Sequence, residues 1–320
     1  MTGKTALVGD IGGTNARFAI ADLAGDTPQL SSVREYRSKD YASGGDAVRA
    51  YLADAGAKPE FAAIAVAGPI THGAVHFTNL GWTFSESELL SLGFQAAHLL
   101  NDFEALALAT QHFGQKDLHL LGSIREGEPD STVAVIGPGT GFGASALVRG
   151  RGHAIALAAE GGHASFAPGD EIEREILAVL ARKFGQVSIE RLLSGPGLQN
   201  LHDALNEIEG VKDDAKIPAE ITERALKGEL PHSRTVHRFG LILGSVAGDF
   251  ALIYGARGGV FIAGGICPTI LPALSPGEFR KRFEGKGRFK SYLAAIPTHV
   301  ILHGHAAFLG AADTARRMAK

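Results

Sequence analysis

Apolar residues at 5–9 and 17–21 flank the turn-like Asp10-Ile-Gly-Gly-Thr-Asn15, a pattern that predicts two short strands joined by a tight glycine turn. Residues 61–67 are continuously apolar and stop at Gly68-Pro69, as expected of a strand buried on both faces. Ser85-Glu-Ser-Glu88 has capping-box spacing ahead of Leu89, Leu90 and Leu92, so a helix should begin there. A strand over 98–100 and a helix over 102–114 follow. The plan then returns: an apolar run over 132–136 enters Gly137-Pro-Gly-Thr-Gly-Phe-Gly143, and a second run occupies 144–148. Residues 170–185 read as an amphipathic helix, with Ile172, Ile176, Leu177 and Leu180 on one face and Arg182 and Lys183 in the last turn. Residues 239–254 are apolar nearly all round and predict a buried helix feeding a strand over 260–263. A strand over 300–302 and a helix after Gly304 close the pattern.

Strands alternating with helices predict an α/β protein with a mixed sheet flanked by helices. Strand, glycine turn, strand occurs twice, which suggests two lobes whose turns face a shared cleft able to close by hinge motion. The boundary should fall near residue 110, giving a small α/β domain of 1–110 plus 300–320 and a large one of 111–299.

Composition narrows the partners. The chain has 320 residues, 45 % apolar and 20 % charged, proportions of a globular protein with ample core. Its 31 Lys and Arg against 34 Asp and Glu leave a charge of -3, so no basic field favours nucleic acid. No apolar run reaches the roughly 20 residues of a bilayer span, and Gly9 and Asp10 interrupt the amino terminus before a signal-peptide core forms. A protein that neither enters a membrane nor is exported is expected. The single Cys267 excludes an internal disulfide and a multi-thiolate zinc site, and points to a cytoplasmic protein. The 42 glycines fall in clusters, as in loops that approach a ligand closely.

Gly12, Gly13 and Thr14 offer backbone N–H donors without bulk, which suits a phosphate, while Asp10 beside them could hold hydrated Mg²⁺. An ordinary hairpin turn explains one such segment equally well. A second at Gly139, Thr140 and Gly141, in the equivalent place of the other lobe, favours a paired phosphate site. Two look-alikes fail on context. Gly3-Lys4-Thr5 lacks the upstream glycine of a phosphate loop, and Gly139-x-Gly141-x-x-Ala144 runs into strand rather than helix. Asn101 and Asp102 sit between a strand and a helix, where they could cap the helix, or where Asp102 could take a proton from a substrate hydroxyl while Asn101 binds its neighbour. Glu160-Gly-Gly-His163 presents an acceptor and a donor/acceptor suited to adjacent hydroxyls, and Glu190 could add a carboxylate, although alone it reads as a solvated helix residue. Gly264 and Gly265, after a strand, could let adenine or ribose lie against the backbone or merely end the strand. His299, His303 and His305 lack a companion carboxylate or thiolate in register and do not read as a metal site.

Taken together these segments resemble the bacterial glucokinases of the hexokinase and actin-like ATPase superfamily, a two-lobed, ribonuclease H-like fold with an interlobe active-site cleft. The resemblance spans the chain through Gly9-Asp-Ile-Gly-Gly-Thr-Asn-Ala-Arg-Phe18, Leu100-Asn-Asp-Phe-Glu-Ala105, Gly137-Pro-Gly-Thr-Gly141, Glu160-Gly-Gly-His-Ala-Ser-Phe-Ala-Pro168, Glu190-Arg-Leu-Leu-Ser-Gly-Pro-Gly197, Gly264-Gly-Ile266 and Lys286-Gly-Arg-Phe289. It implies phosphorylation of glucose to glucose 6-phosphate, the first step of glycolysis, with Asp102 as general base and Asn101, Asp102, Glu160, His163 and Glu190 on the sugar. ATP would be held by Gly9, Asp10, Ile11, Gly12, Gly13 and Thr14, by Gly139, Thr140 and Gly141, and by Gly264 and Gly265, with Mg²⁺ at Asp10 through water. A homodimer is implied as well. One cysteine places the chain with the zinc-free branch rather than the cysteine-rich repressor, open-reading-frame and kinase (ROK) group, so no zinc is expected. A kinase for another hexose remains open at this stage. So does a sugar-sensing regulator without catalysis, although residues 1–9 leave no room for a helix-turn-helix and Asp102 is in place.

Overall fold

The computed structural model describes residues 4–25, 27–150, 153–215 and 217–320; Gly3 of the phosphate-loop look-alike lies outside them. Two units emerge from packing, one of 1–114 with 303–320 and one of 115–302.

In the first unit the apolar strand β1 (Thr5–Ile11) turns through Gly12-Gly13 into β2 (Asn15–Asp22), which pairs with β3 (Gln29–Arg37). Helix α1 (Gly44–Ala55) is capped by Ser43, whose hydroxyl accepts from Asp46 N, and leads into β4 (Phe61–Val66). All six residues of β4 are buried because it runs between β1 and β8 (Ala96–Asn101), parallel to both. A small sheet of β5 (Ile70–Thr71), β6 (Ala74–Phe77) and β7 (Trp82–Ser85) precedes α2 (Glu86–Ser91). The expected cap is present there, with Ser85 Oγ accepting from Glu88 N. Helix α3 (Asp102–Ala109) ends sooner than the expected residue 114. Its Thr110 hydroxyl donates to Ala107 O, a local bond that competes with further winding. Helix α11 (Ala306–Met318) packs so tightly on α3 that a side chain at Gly310 would collide with Ala105 O. Leu7, Phe18, Val48, Tyr51, Ile64 and Leu89 form the core of this unit.

The second unit repeats the plan. Strands β10 (Val133–Pro138), β11 (Phe142–Gly150) and β12 (His153–Ala159) form the antiparallel part, and β13 (Gly259–Ile262) and β14 (Thr298–Ile301) run parallel to β10, with β9 (Leu118–Leu120) on the far edge. The orders β3-β2-β1-β4-β8 and β12-β11-β10-β13-β14 are the same topology written twice. Between β12 and β13 lie α4 (Glu171–Phe184), α5 (Gly195–Glu209), α6 (Pro218–Leu226) and α7 (His232–Tyr254). Three shorter helices, α8 (Ile266–Ile270), α9 (Pro276–Glu284) and α10 (Lys290–Ala294), lead to β14.

Helix α7 starts seven residues before the apolar stretch at 239, because His232 to Arg238 also find buried partners. It has the length and hydropathy to cross a membrane, contrary to the expectation from the chain, but 67 % of that stretch is buried inside the unit. Glycines 240, 244 and 248 lie on one face and admit α9 so closely that a Cβ at Gly244 or Gly248 would meet Phe279 O or Phe283 O. The ion cluster that joins α4, α7 and α9 is equally tight. Glu173, fully buried, accepts from Gly169 N at 2.7 Å and faces Arg238 at 3.1 Å and Arg282 at 2.6 Å.

Candidate functional site

The parallel strands of the first unit end in one row. Ile11 of β1 is level with Val66 of β4, and Val66 with Asn101 of β8. With strands about 4.8 Å apart, Asp10 and Asp102 lie along the same sheet edge, two strands or roughly 10 Å from each other. Such carboxyl ends are where open α/β sheets bind ligands.

Asn101, rather than Asp102, caps α3: its Oδ1 accepts from Phe103 N at 2.9 Å and Glu104 N at 3.2 Å. Asp102 Oδ1 also accepts from Phe103 N at 2.9 Å, and the side chain stays half-buried. Strand β8 and the helix start thus fix both residues. Asp10 is half-buried with Arg17 Nη1 at 3.9 Å; burial pushes its pKa up, against the pull of Arg17. A single carboxylate at a strand end can hold a hydrated Mg²⁺, which keeps most of its waters, although here Arg17 already stands beside it. Gly12 N donates to Asn15 O and is spent within the hairpin, which leaves the N–H groups of Gly13 and Thr14 outside any backbone bond among the described residues. Gly9 and Ile11 also serve the core: Ile11 is fully buried, and a Cβ at Gly9 would strike Phe18 and Ile64.

The second unit has its own row of strand ends. The Gly139 turn leaves β10, and Gly264 and Gly265 leave β13. Gly264 has φ +88, and a Cβ there would stand 2.2 Å from Pro138 O, so only glycine fits. Gly139 N donates to Gly141 O, and Gly139 O accepts from Gly195 N at 2.8 Å, which ties the turn to the start of α5. Thr140 and Gly141 keep N–H groups outside any backbone bond among the described residues.

Glu160 and His163 are both exposed, at the two ends of a turn wedged against β11 and α7. A Cβ at Gly161 would lie 2.6 Å from Phe250, and at Gly162 2.1 Å from Phe142 O. The two glycines therefore hold the turn down and aim its polar ends outward. Bonds from Ile189 N to Ala164 O and from Phe166 N to Val187 O bring the Glu190 segment alongside. Glu190 is a half-buried tie, not a solvated helix residue: its Oε2 accepts from Phe142 N at 2.8 Å, just past the Gly139 turn. Glu160, His163, Glu190 and the second turn thus adjoin one another, while Asn101, Asp102 and Asp10 belong to the first unit.

The sequence profile of the glucokinase family matches residues 7–318. The chain belongs to the glucokinase family. The curated glucokinase of Caulobacter sp. (strain K31) is 54 % identical over 309 residues, covering 96 % of this chain and 93 % of that one. The crystal structure of a glucokinase from an Antarctic psychrotroph superposes with a TM-score of 0.90 at 37 % identity, covering 98 % and 99 % of the two chains. A ROK family glucokinase from Streptomyces griseus, solved in complex with glucose and AMPPNP, shares the fold at 19 % identity and a TM-score of 0.65, covering 98 % and 99 %. The fold is that of the hexokinase-type sugar kinases, with actin-like ATPase topology.

In this glucokinase-family chain a cavity of about 620 Å³ lies beside the second turn, lined by Gly139, Thr140, Lys183, Gly195, Pro196, Gln199, Asn200, Asp203, Pro218 and Ile266. Its volume suits a small ligand of nucleoside size. The polar side chains from α4 and α5 escaped the sequence reading, since nothing in their spacing sets them apart from a solvated helix face. The Gly195-Pro-Gly197 that opens α5 was the available signal. Lys286 is likewise accounted for by packing, with Nζ 2.7 Å from Asp249 and 3.1 Å from Ser245 of α7.

Proposed function

We propose that the chain transfers the γ-phosphoryl group of Mg·ATP to the 6-hydroxyl of glucose. The observation that carries this reading is the position of Asp102, at the carboxyl end of β8 with its Oδ1 accepting from Phe103 N of α3, in a chain of the glucokinase family. Asp102 accepts the proton of the 6-hydroxyl as the bond to phosphorus forms, and Asn101 binds a neighbouring hydroxyl through its amide. Glu160, His163 and Glu190 complete the sugar's contacts. Their acceptors and the imidazole suit a ligand with several adjacent hydroxyls.

The two glycine turns present N–H donors to the phosphates, and the cavity along α5 takes the adenosine. Asp10 would hold a hydrated Mg²⁺, which would supply charge neutralisation for the phosphoryl oxygens. Little covalent work falls to the protein, so positioning dominates the rate. The family resemblance extends the reading to a cytoplasmic homodimer whose small-molecule partners are glucose and ATP. Asp102→Asn keeps the shape of the side chain and removes the base, so kcat should fall by about 10²- to 10⁴-fold with a much smaller change in KM for glucose. Equal losses in both, with the fold intact, would make Asp102 a sugar ligand rather than the base.

A further inference from the structure

Away from the kinase residues, two histidines converge on one carboxylate inside the second unit. His202 of α5, Asp213 in the connection to α6 and His232 at the start of α7 place their ligand atoms within 4.8 Å of one another. His202 Nε2 is 2.8 Å and His232 Nε2 3.1 Å from the same Asp213 Oδ2. Both imidazoles are at least 98 % buried, and their rings stack at 5.1 Å.

As a hydrogen-bond cluster this arrangement is poorly satisfied. Asn206 Nδ2 lies 3.0 Å from His202 Nε2, while Asn206 Oδ1 is engaged by Arg234, so the amide nitrogen faces the ring. Protonated, Nε2 serves Asp213 but opposes the amide N–H; unprotonated, it accepts from the amide but turns a lone pair toward a carboxylate oxygen. His232 Nδ1, on the far side of the ring from Asp213, is buried and has no hydrogen-bond partner among the described residues. An unsatisfied contact of this kind at His202 Nε2 costs about 1–3 kcal/mol, which is a reason to look for a species that the cluster is shaped to hold.

We propose that His202, Asp213 and His232 form a binding site for a divalent transition-metal ion of the zinc type. Two imidazole nitrogens and a carboxylate oxygen are a common three-ligand zinc set, with water in the fourth position. At bond lengths of about 2.0–2.1 Å, tetrahedral ligand atoms stand roughly 3.3 Å apart, so the two nitrogen–oxygen separations of 2.8 and 3.1 Å need to open by only a few tenths of an ångström, with the two ring nitrogens within 4.8 Å of each other. Asp213 Oδ2 already accepts from Ala215 N at 3.0 Å, and a cation would answer the imidazole lone pair that faces it. The second shell is half built: with Nε2 on the metal, the proton sits on His202 Nδ1, which can donate to Thr235 Oγ1 at 2.9 Å. Arg224 approaches Asp213 at 3.6 Å but is itself paired with Asp214 at 2.6 Å. The site contains no cysteine, so it is unlike a thiolate zinc motif. Its ion would pin Asp213, in the connection that leaves α5, to α5 and α7. Gln199 already bonds to Ala215 O in that connection and lines the cavity with Pro218, so a bound metal would also steady one wall of the proposed nucleotide site. That last consequence rests on the proposed function; the metal site does not.

Purified full-length protein, stripped with a chelator, is titrated with Zn²⁺ against a chromophoric chelator and with Co²⁺ by visible absorption. The proposal expects one saturable ion per chain, a tetrahedral Co²⁺ spectrum and a rise in Tm. Affinity should fall by about 10- to 100-fold in Thr235→Val and by more in His232→Gln and Asp213→Asn. Absence of a tight ion in the wild type overturns it, and so does binding that persists unchanged in the two ligand variants, the mark of surface histidines. The wild-type Co²⁺ spectrum decides the matter even if a variant fails to fold. Turnover with ATP and glucose is read separately: metal binding without kinase activity refutes the proposed function alone, and kinase activity without metal binding refutes the site alone.

Discussion

Gly162→Ala probes the sugar-binding turn through its support rather than its polar groups. A methyl group there would stand 2.1 Å from Phe142 O and 3.0 Å from Phe142 C, and backbone cannot swing aside as a side-chain tip can. Reaching even 3.0 Å requires the turn and β11 to part by about 1 Å, a strain of about 1–3 kcal/mol in folding stability. The same displacement moves Glu160 and His163 relative to the Gly139 turn and Glu190. A misplacement of about 1 Å costs on the order of 10²-fold in rate, about 2.7 kcal/mol of transition-state stabilisation. The assay is kcat/KM for glucose from coupled ADP detection, with urea unfolding to confirm that the variant is folded under assay conditions. Gly150→Ala is the control, since a Cβ at that position meets nothing within 4 Å. If folded Gly162→Ala retains kcat/KM within about threefold of wild type, the turn does not position sugar ligands.

Two further outcomes follow from the buried groups. Glu173→Ala leaves Arg238 and Arg282 without their buried carboxylate and Gly169 N without its acceptor. It should cost about 3–5 kcal/mol in urea unfolding, and a loss below about 1 kcal/mol would contradict the assigned role. Burial pushes the Cys267 thiol up to about 12, so it should resist a thiol-specific disulfide reagent in the native state and react once unfolded. Native-state labelling at the unfolded rate would show that α8 opens readily.

What the sequence made legible follows from where the signal is local. The apolar runs at β4 and β10, short and ended by glycine or proline, read as buried strands and are so, and Ser85 accepts from Glu88 N to cap α2 as their spacing predicts. The repeated strand, turn, strand plan became the shared strand order of the two sheets. Helix α5 was missed, although it lines the cavity, because its Gly-Pro-Gly opening reads as a loop until Ser194 is seen to cap it by accepting from Gly197 N. Glu190 as a tie to Phe142 N and the His202, Asp213 and His232 cluster depend on residues distant in sequence. No window along the chain contains them.

The central claim is tested most directly by initial rates of ADP formation with Mg·ATP and glucose, mannose, fructose, N-acetylglucosamine or no sugar. The account predicts turnover that depends on glucose and is nearly absent without it. Release of ADP at the same rate whether or not any sugar is present would contradict it.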